Sequence, residues 1–194
     1  MSPTAGLPED IQELLAALDA NDVQAGELVR DLEEKRFNWR PDEHSWSVAQ
    51  CLDHLNAASR AYLPPMRTAV ERGARRAGSA RRGPLRPGVV GRWFVATLEP
   101  PPKRRLPAPK KIVPAARKAR AEVMAEWEKL QAEVKALLAE SAGFDLNGTR
   151  FVNPFLPLVR FSLATGFQVI AAHQRRHLWQ AARVKANPGL PSPH

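Results

Sequence analysis

Apolar residues in this chain recur mostly at three- and four-residue steps, the spacing of helices buried along one face. Over 8–35, Ile11, Leu14, Leu15, Leu18, Leu28, Val29 and Leu32 follow it, with Asp and Glu between them. This predicts a first helix, with Asn21-Asp22 and Gly26 as places for a kink. It must end before Trp39-Arg40-Pro41, because a residue preceding proline avoids the helical conformation. A second helix is predicted from Ser47, which with Gln50 makes a capping box. Its stripe is Val48, Leu52, Leu55, Tyr62, Met66 and Val70. Pro64-Pro65 falls inside it. Each proline removes a helical hydrogen bond, at ~3 kcal/mol in a regular interior, which predicts a kink or break.

A third helix is predicted from Pro114 to about Ser141. Val123, Trp127, Leu130, Val134 and Leu137 step by four and three, the seam of helices packed nearly parallel. Proline suits a first turn and Gly143 a stop. Residues 143–161 read as a loop with apolar anchors. A last helix is predicted after Ser162, running to about Lys185 and ended by Asn187-Pro188-Gly189. No stretch alternates as a strand does, and no repeat is present. The predicted fold is all-α: one domain over 1–194, an antiparallel four-helix bundle with a long connection (72–113) between its second and third helices. Residues 187–194 are expected to be a disordered tail.

Composition refines this picture. A chain of 194 residues can bury a core without disulfides, and a single cysteine, Cys51, forms no intramolecular bridge. A lone thiol fits a reducing compartment, so a cytoplasmic protein is expected. No apolar run approaches the ~18 residues of a membrane span, and no basic start leads into an apolar stretch, so neither a membrane partner nor a signal peptide is expected.

The net charge is +9, but it is uneven. Residues 1–71 carry six basic and 13 acidic side chains, whereas 72–120 carry 15 basic against one acidic, Glu99. Pro84, Pro87, Pro100, Pro101, Pro102, Pro107, Pro109 and Pro114 lie in this same segment. Within it, Val89 to Leu98 reads either as a short helix or as an extended piece buried through Trp93 and Phe94. Such a segment can bind nucleic acid non-specifically. Trp93 and Phe94 are its only aromatics for base stacking, so this is the least favoured reading. The same charge can steer an anionic substrate.

Chemistry concentrates in histidines. His173 and His177 are four residues apart, on one face of the last helix, where two imidazoles can converge on a metal ion. Solvated or core-satisfied histidines remain the plainer alternative. Gln174 stands where a zinc peptidase would carry its glutamate, and an amide is no general base. His54, on or beside the apolar stripe of the second helix, is the best third ligand. His44 is expected in an exposed loop and His194 at the terminus. Asp53 points about 100° from His54 and reads as solvated or as a support to the ligands. Trp39, Trp46 and Trp179 read first as bulky anchors and second as pocket walls. Cys51 reads as a buried thiol rather than a ligand.

"NWRPDEHSWSVAQCLDHLN" at 38–56 and "AAHQRRHLWQA" at 171–181 resemble the two signatures of the DinB-like superfamily of DNA-damage-inducible proteins. "PPPKRRLPAPKKIVP" at 100–114 is similar to the Pro-rich connection of a subset of it. The resemblance covers nearly the whole chain. It implies a four-helix bundle holding a divalent metal, Zn or Ni foremost, on His54, His173 and His177. It also implies a hydrolase or a thiol-dependent S-transferase with a low-molecular-weight thiol as cosubstrate, a small-molecule substrate and a homodimer. Three neutral ligands leave coordination positions open and the full charge of the ion available to a bound water or thiol. The alternative is a non-catalytic metal- or ligand-binding stress-response module.

Overall fold

Local side-chain chemistry sets the two helix starts that matter most. Ser47 accepts from the Gln50 backbone N–H while Gln50 accepts from the Ser47 N–H, so the capping box forms and Val48–Ala74 is helical. Ser162 likewise accepts from the Thr165 N–H and opens Leu163–Lys185. The computed structural model describes residues 6–75, 80–102 and 107–193. Its elements are α1 (Glu9–Val29), α2 (Glu34–Phe37), α3 (Val48–Ala74), α4 (Val89–Leu98), a 3-10 turn (Lys110–Ile112), α5 (Arg120–Glu140), β1 (Arg150–Val152), β2 (Arg160–Ser162) and α6 (Leu163–Lys185). The protein is mostly helical and all-α in class. No described helix is long and apolar enough to cross a membrane.

Each of α1 and α3 packs against both α5 and α6, and α4 lies on α6. One core cluster joins α1, α3, α5 and α6 around Leu18, Met66, Val134 and Phe167. The other gathers Phe37, Leu52, Leu55, Trp127 and Leu178. The predicted seam of Val123, Trp127, Leu130, Val134 and Leu137 is buried throughout.

Several predictions of local structure need correction. Helix α1 runs unbroken past Asn21, Asp22 and Gly26 but stops at Val29, and α2 follows separately. Leu32 and Phe37 are five positions apart and would face different sides of one continuous helix. The interruption lets both enter the same core. Pro64 and Pro65 do not break α3. Pro64 and Arg60, whose carbonyl the ring releases, are exposed to water. α5 begins at Arg120 rather than Pro114, because the intervening N–H groups of Ala115 and Lys118 donate to the side chains of Asp53 and Asn38.

The loop at 143–161 contains an antiparallel hairpin with Phe151 opposite Phe161. Each strand buries only one or two side chains, too few for an alternating pattern to register. The hairpin lies close to α6, since a Cβ on Gly166 would come within 2.7 Å of the Phe151 ring. Val89–Leu98 is the helical alternative of its two readings, but Trp93 is 66% exposed and is not its anchor. Gly91 and Leu98 are buried instead, and Phe94 packs 5.4 Å from Phe161, centroid to centroid. After α6 the chain turns at 187–190 and Leu190 packs on the second core cluster, in place of the tail expected from residue 187. His194 and residues 76–79 and 103–106 of the basic segment lie outside the described residues.

Candidate metal centre

α3 and α6 pack side by side, which brings His54 against His173 and His177. The ring centroids are 4.5–4.9 Å apart in all three pairs. One nitrogen of each ring lies within 4.8 Å of the others, and the Nε2 atoms of His54 and His173 are 3.1 Å apart. Two nitrogens bound tetrahedrally to one zinc stand about 3.3 Å apart, so that pair has nearly the right bite.

Two of the rings are held by their other nitrogen. His54 Nδ1 lies 2.7 Å from the Ile112 carbonyl and His177 Nδ1 lies 3.0 Å from Gln180 Oε1. An oxygen there selects the Nδ1–H tautomer and turns the Nε2 lone pair toward the centre. The donor set therefore fits a divalent ion that accepts neutral imidazole.

Burial and mutual proximity favour the neutral form of these histidines. His54 and His177 are buried, and His173 is partly open to solvent. Burial lowers the pKa of His54, against smaller opposing effects of the Ile112 carbonyl and the Asp53 charge. Burial, then the neighbouring His177, His54 and Arg176, hold His173 well below the usual imidazole range. Burial, followed by His54, brings His177 down to about 3 despite the bond to Gln180. A proton therefore competes poorly for these nitrogens.

The remaining expected residues are placed as follows. Trp46 stacks on His177 at 5.5 Å and lies 4.8 Å from His54, so it is both a core anchor and a wall of the centre. Trp39 packs on the second core cluster, and Trp179 lies under the Arg183 guanidinium. His44 is exposed and pairs with Glu43. Cys51 is fully buried among apolar side chains, where burial pushes its thiol up, and it is not part of the histidine group. Gln174 points into the core, accepting from Asn21 and donating to Gln131. A small cavity of about 10 Å³ between α3 and α6 is lined by Ser59, Tyr62, Ile170, His173 and Gln174. It is at the lower limit for one water.

Asp53 is not a solvated residue: it is 5% exposed and takes the Ala115 N–H at 3.0 Å and Lys118 Nζ at 2.8 Å. Sequence reasoning also missed the Ile112 carbonyl, since a backbone oxygen carries no side-chain signature. The basic connection thus touches the centre through Ile112.

Three histidines thus converge from the third and last α-helices of an all-α protein, two of them oriented by oxygen partners, in a group that could hold a metal ion. The family model of the DinB superfamily matches residues 17–181, and the chain belongs to that superfamily. Searches of curated proteins and of solved structures find no match.

Proposed function

We propose that this protein is a metal-dependent enzyme built as a single antiparallel four-helix bundle, with His54, His173 and His177 holding one divalent ion, zinc or nickel. The observation that carries this reading is the convergence of three neutral imidazoles, with Nδ1 of His54 and His177 each tied to an oxygen. When bound, the ion supplies Lewis acidity that makes a water or thiol nucleophilic near neutral pH. The protein's own part is to keep the imidazoles unprotonated and to leave positions open for a small-molecule substrate. His173 is the partly open member of the set, which places solvent access on its side. Trp46 shields the opposite pair from water.

Membership of the DinB superfamily points to hydrolysis, or to transfer of a low-molecular-weight thiol to an electrophile, and three neutral ligands suit either. One observation favours a second reading, a non-catalytic metal-binding module. Among the described residues no carboxylate joins the histidine group, and the nearest in sequence, Asp53, is occupied elsewhere.

Metal analysis of the purified protein is the first test. Stoichiometric metal in the wild type and its loss in His173→Ala are expected; equal trace metal in both refutes the centre. Turnover of an activated ester or of an aromatic electrophile with added thiol, dependent on zinc or nickel, then separates enzyme from binding module.

A further inference from the structure

His54 owes its orientation to a residue 58 positions away. His177 is held by Gln180, on the next turn of its own helix, but His54 depends on the basic connection being docked. Asn38 bonds the Lys118 backbone, Gln50 the Ala115 carbonyl, and the Ile112 side chain is buried, but the charged part of the docking is around Asp53. Its carboxylate takes the Ala115 N–H with one oxygen and Lys118 Nζ with the other. A carboxylate 5% exposed requires such partners, and these two supply them. Adjacent residues on a helix diverge by about 100°, so Asp53 faces the connection while His54 faces the centre. Only two residues, Val113 and Pro114, separate Ala115 from Ile112, a reach of at most about 11 Å. Clamping Ala115 therefore restricts where the Ile112 carbonyl can lie.

We propose that Asp53 is a positioning residue. By clamping residues 112–118 to α3 it keeps the Ile112 carbonyl on His54 Nδ1, so the metal affinity of the centre is set in part by the basic connection. This rests on the metal reading above and deepens it. The connection, whose charge suggests a solvated loop, is then a strap that orients one member of the ligand set from outside.

A simpler role for Asp53 is long-range attraction of a cation by its charge. The two roles predict opposite effects at Lys118. If charge alone matters, removing the Lys118 ammonium strengthens metal binding. If the strap matters, removing it weakens binding, because one of the two clamp contacts is lost.

The test is Zn²⁺ affinity of the full chain, by competition with a chromophoric chelator, for wild type, Asp53→Asn, Lys118→Met and the double variant. Loss of an outer support to a ligand weakens metal binding by about 10- to 100-fold. Asp53→Asn is expected in that range, Lys118→Met is expected to weaken binding by a smaller factor, and the double variant is expected to match Asp53→Asn, because both act through one clamp. Amide exchange at Ala115 should quicken in both single variants. Lys118 is one-third exposed and its methionine variant keeps the side-chain stem, so it answers the question even if Asp53→Asn folds poorly. Wild-type affinity in Asp53→Asn with only its thermal stability lowered, or tighter binding in Lys118→Met, overturns the inference and leaves the metal centre standing. A wild type that binds no Zn²⁺ overturns both.

Discussion

Acidification should destabilise the metal-free protein through its buried imidazoles, and His177 gives the clearest magnitude. It is 8% exposed, stacked on Trp46 and 4.5 Å from the His54 ring. In the folded protein its pKa is about 3, against about 6.5 for a histidine in an unfolded chain. Below pH 6.5 the unfolded chain takes up a proton that the folded one refuses. Stability is therefore complete above 6.5 and falls with pH toward 3, by about 1.4 kcal/mol per unit. From pH 7.5 to 5.0 the useful interval is one and a half units, about 2 kcal/mol from this residue alone. The comparison is urea melts of wild type and His177→Gln at both pH values, with chelator present. His54 and His173 shift in the same direction, so both proteins lose stability. The wild type should lose about 2 kcal/mol more than the variant. An equal loss in the two proteins would mean that His177 titrates normally and that the enclosure argued from its packing is wrong.

Other substitutions probe the packing around the centre. Gly91→Val places a side chain where even a Cβ would come within 2.5 Å of Thr165 Oγ1; the α4–α6 contact should loosen, with about 1–3 kcal/mol lost in a denaturant melt. Gln174→Leu strips partners from Asn21 and Gln131 in the core; about 1–3 kcal/mol should be lost in the same assay, with metal content unchanged. Zinc at a hundredfold excess over its dissociation constant should stabilise the wild type by about 2.7 kcal/mol, read as a shift in the melt, and should leave His173→Ala unmoved.

What the chain alone discloses depends on how local the physics is. The starts of α3 and α6 are legible because Ser47 and Ser162 cap groups three residues away. The α5 seam is legible because its period is written in Val123, Trp127, Leu130, Val134 and Leu137. The His173–His177 pair is visible as spacing. The third member, His54, is a candidate by its place beside the apolar stripe of the second helix and is supported by the resemblance of 38–56 to the DinB signature, but the pairing of α3 with α6 that brings it to the others is encoded by no spacing. Two features were out of reach. The hairpin buries too few side chains to show a period. The start of α5 is decided by two backbone N–H groups captured by Asp53 and Asn38, and neither capture has a sequence spacing. Charge was misleading for the same reason: it describes side chains facing water, whereas the Ile112 carbonyl and the Ala115 amide connect the basic segment to the centre.

The histidines that meet at 3.1 Å are 119 positions apart in the chain. A ribosome adding about 5–20 residues per second takes roughly 6–24 s to cover that distance. During that interval His54 has emerged and its partners do not exist, and a single imidazole holds a metal weakly. If the three histidines hold the proposed ion, its acquisition belongs to the completed chain rather than the nascent one, after α6 has closed on α3. On the proposed reading, a protein stopped short of residue 173 would still carry three of the long helices and the whole basic connection, yet would compete for none of the cell's metal.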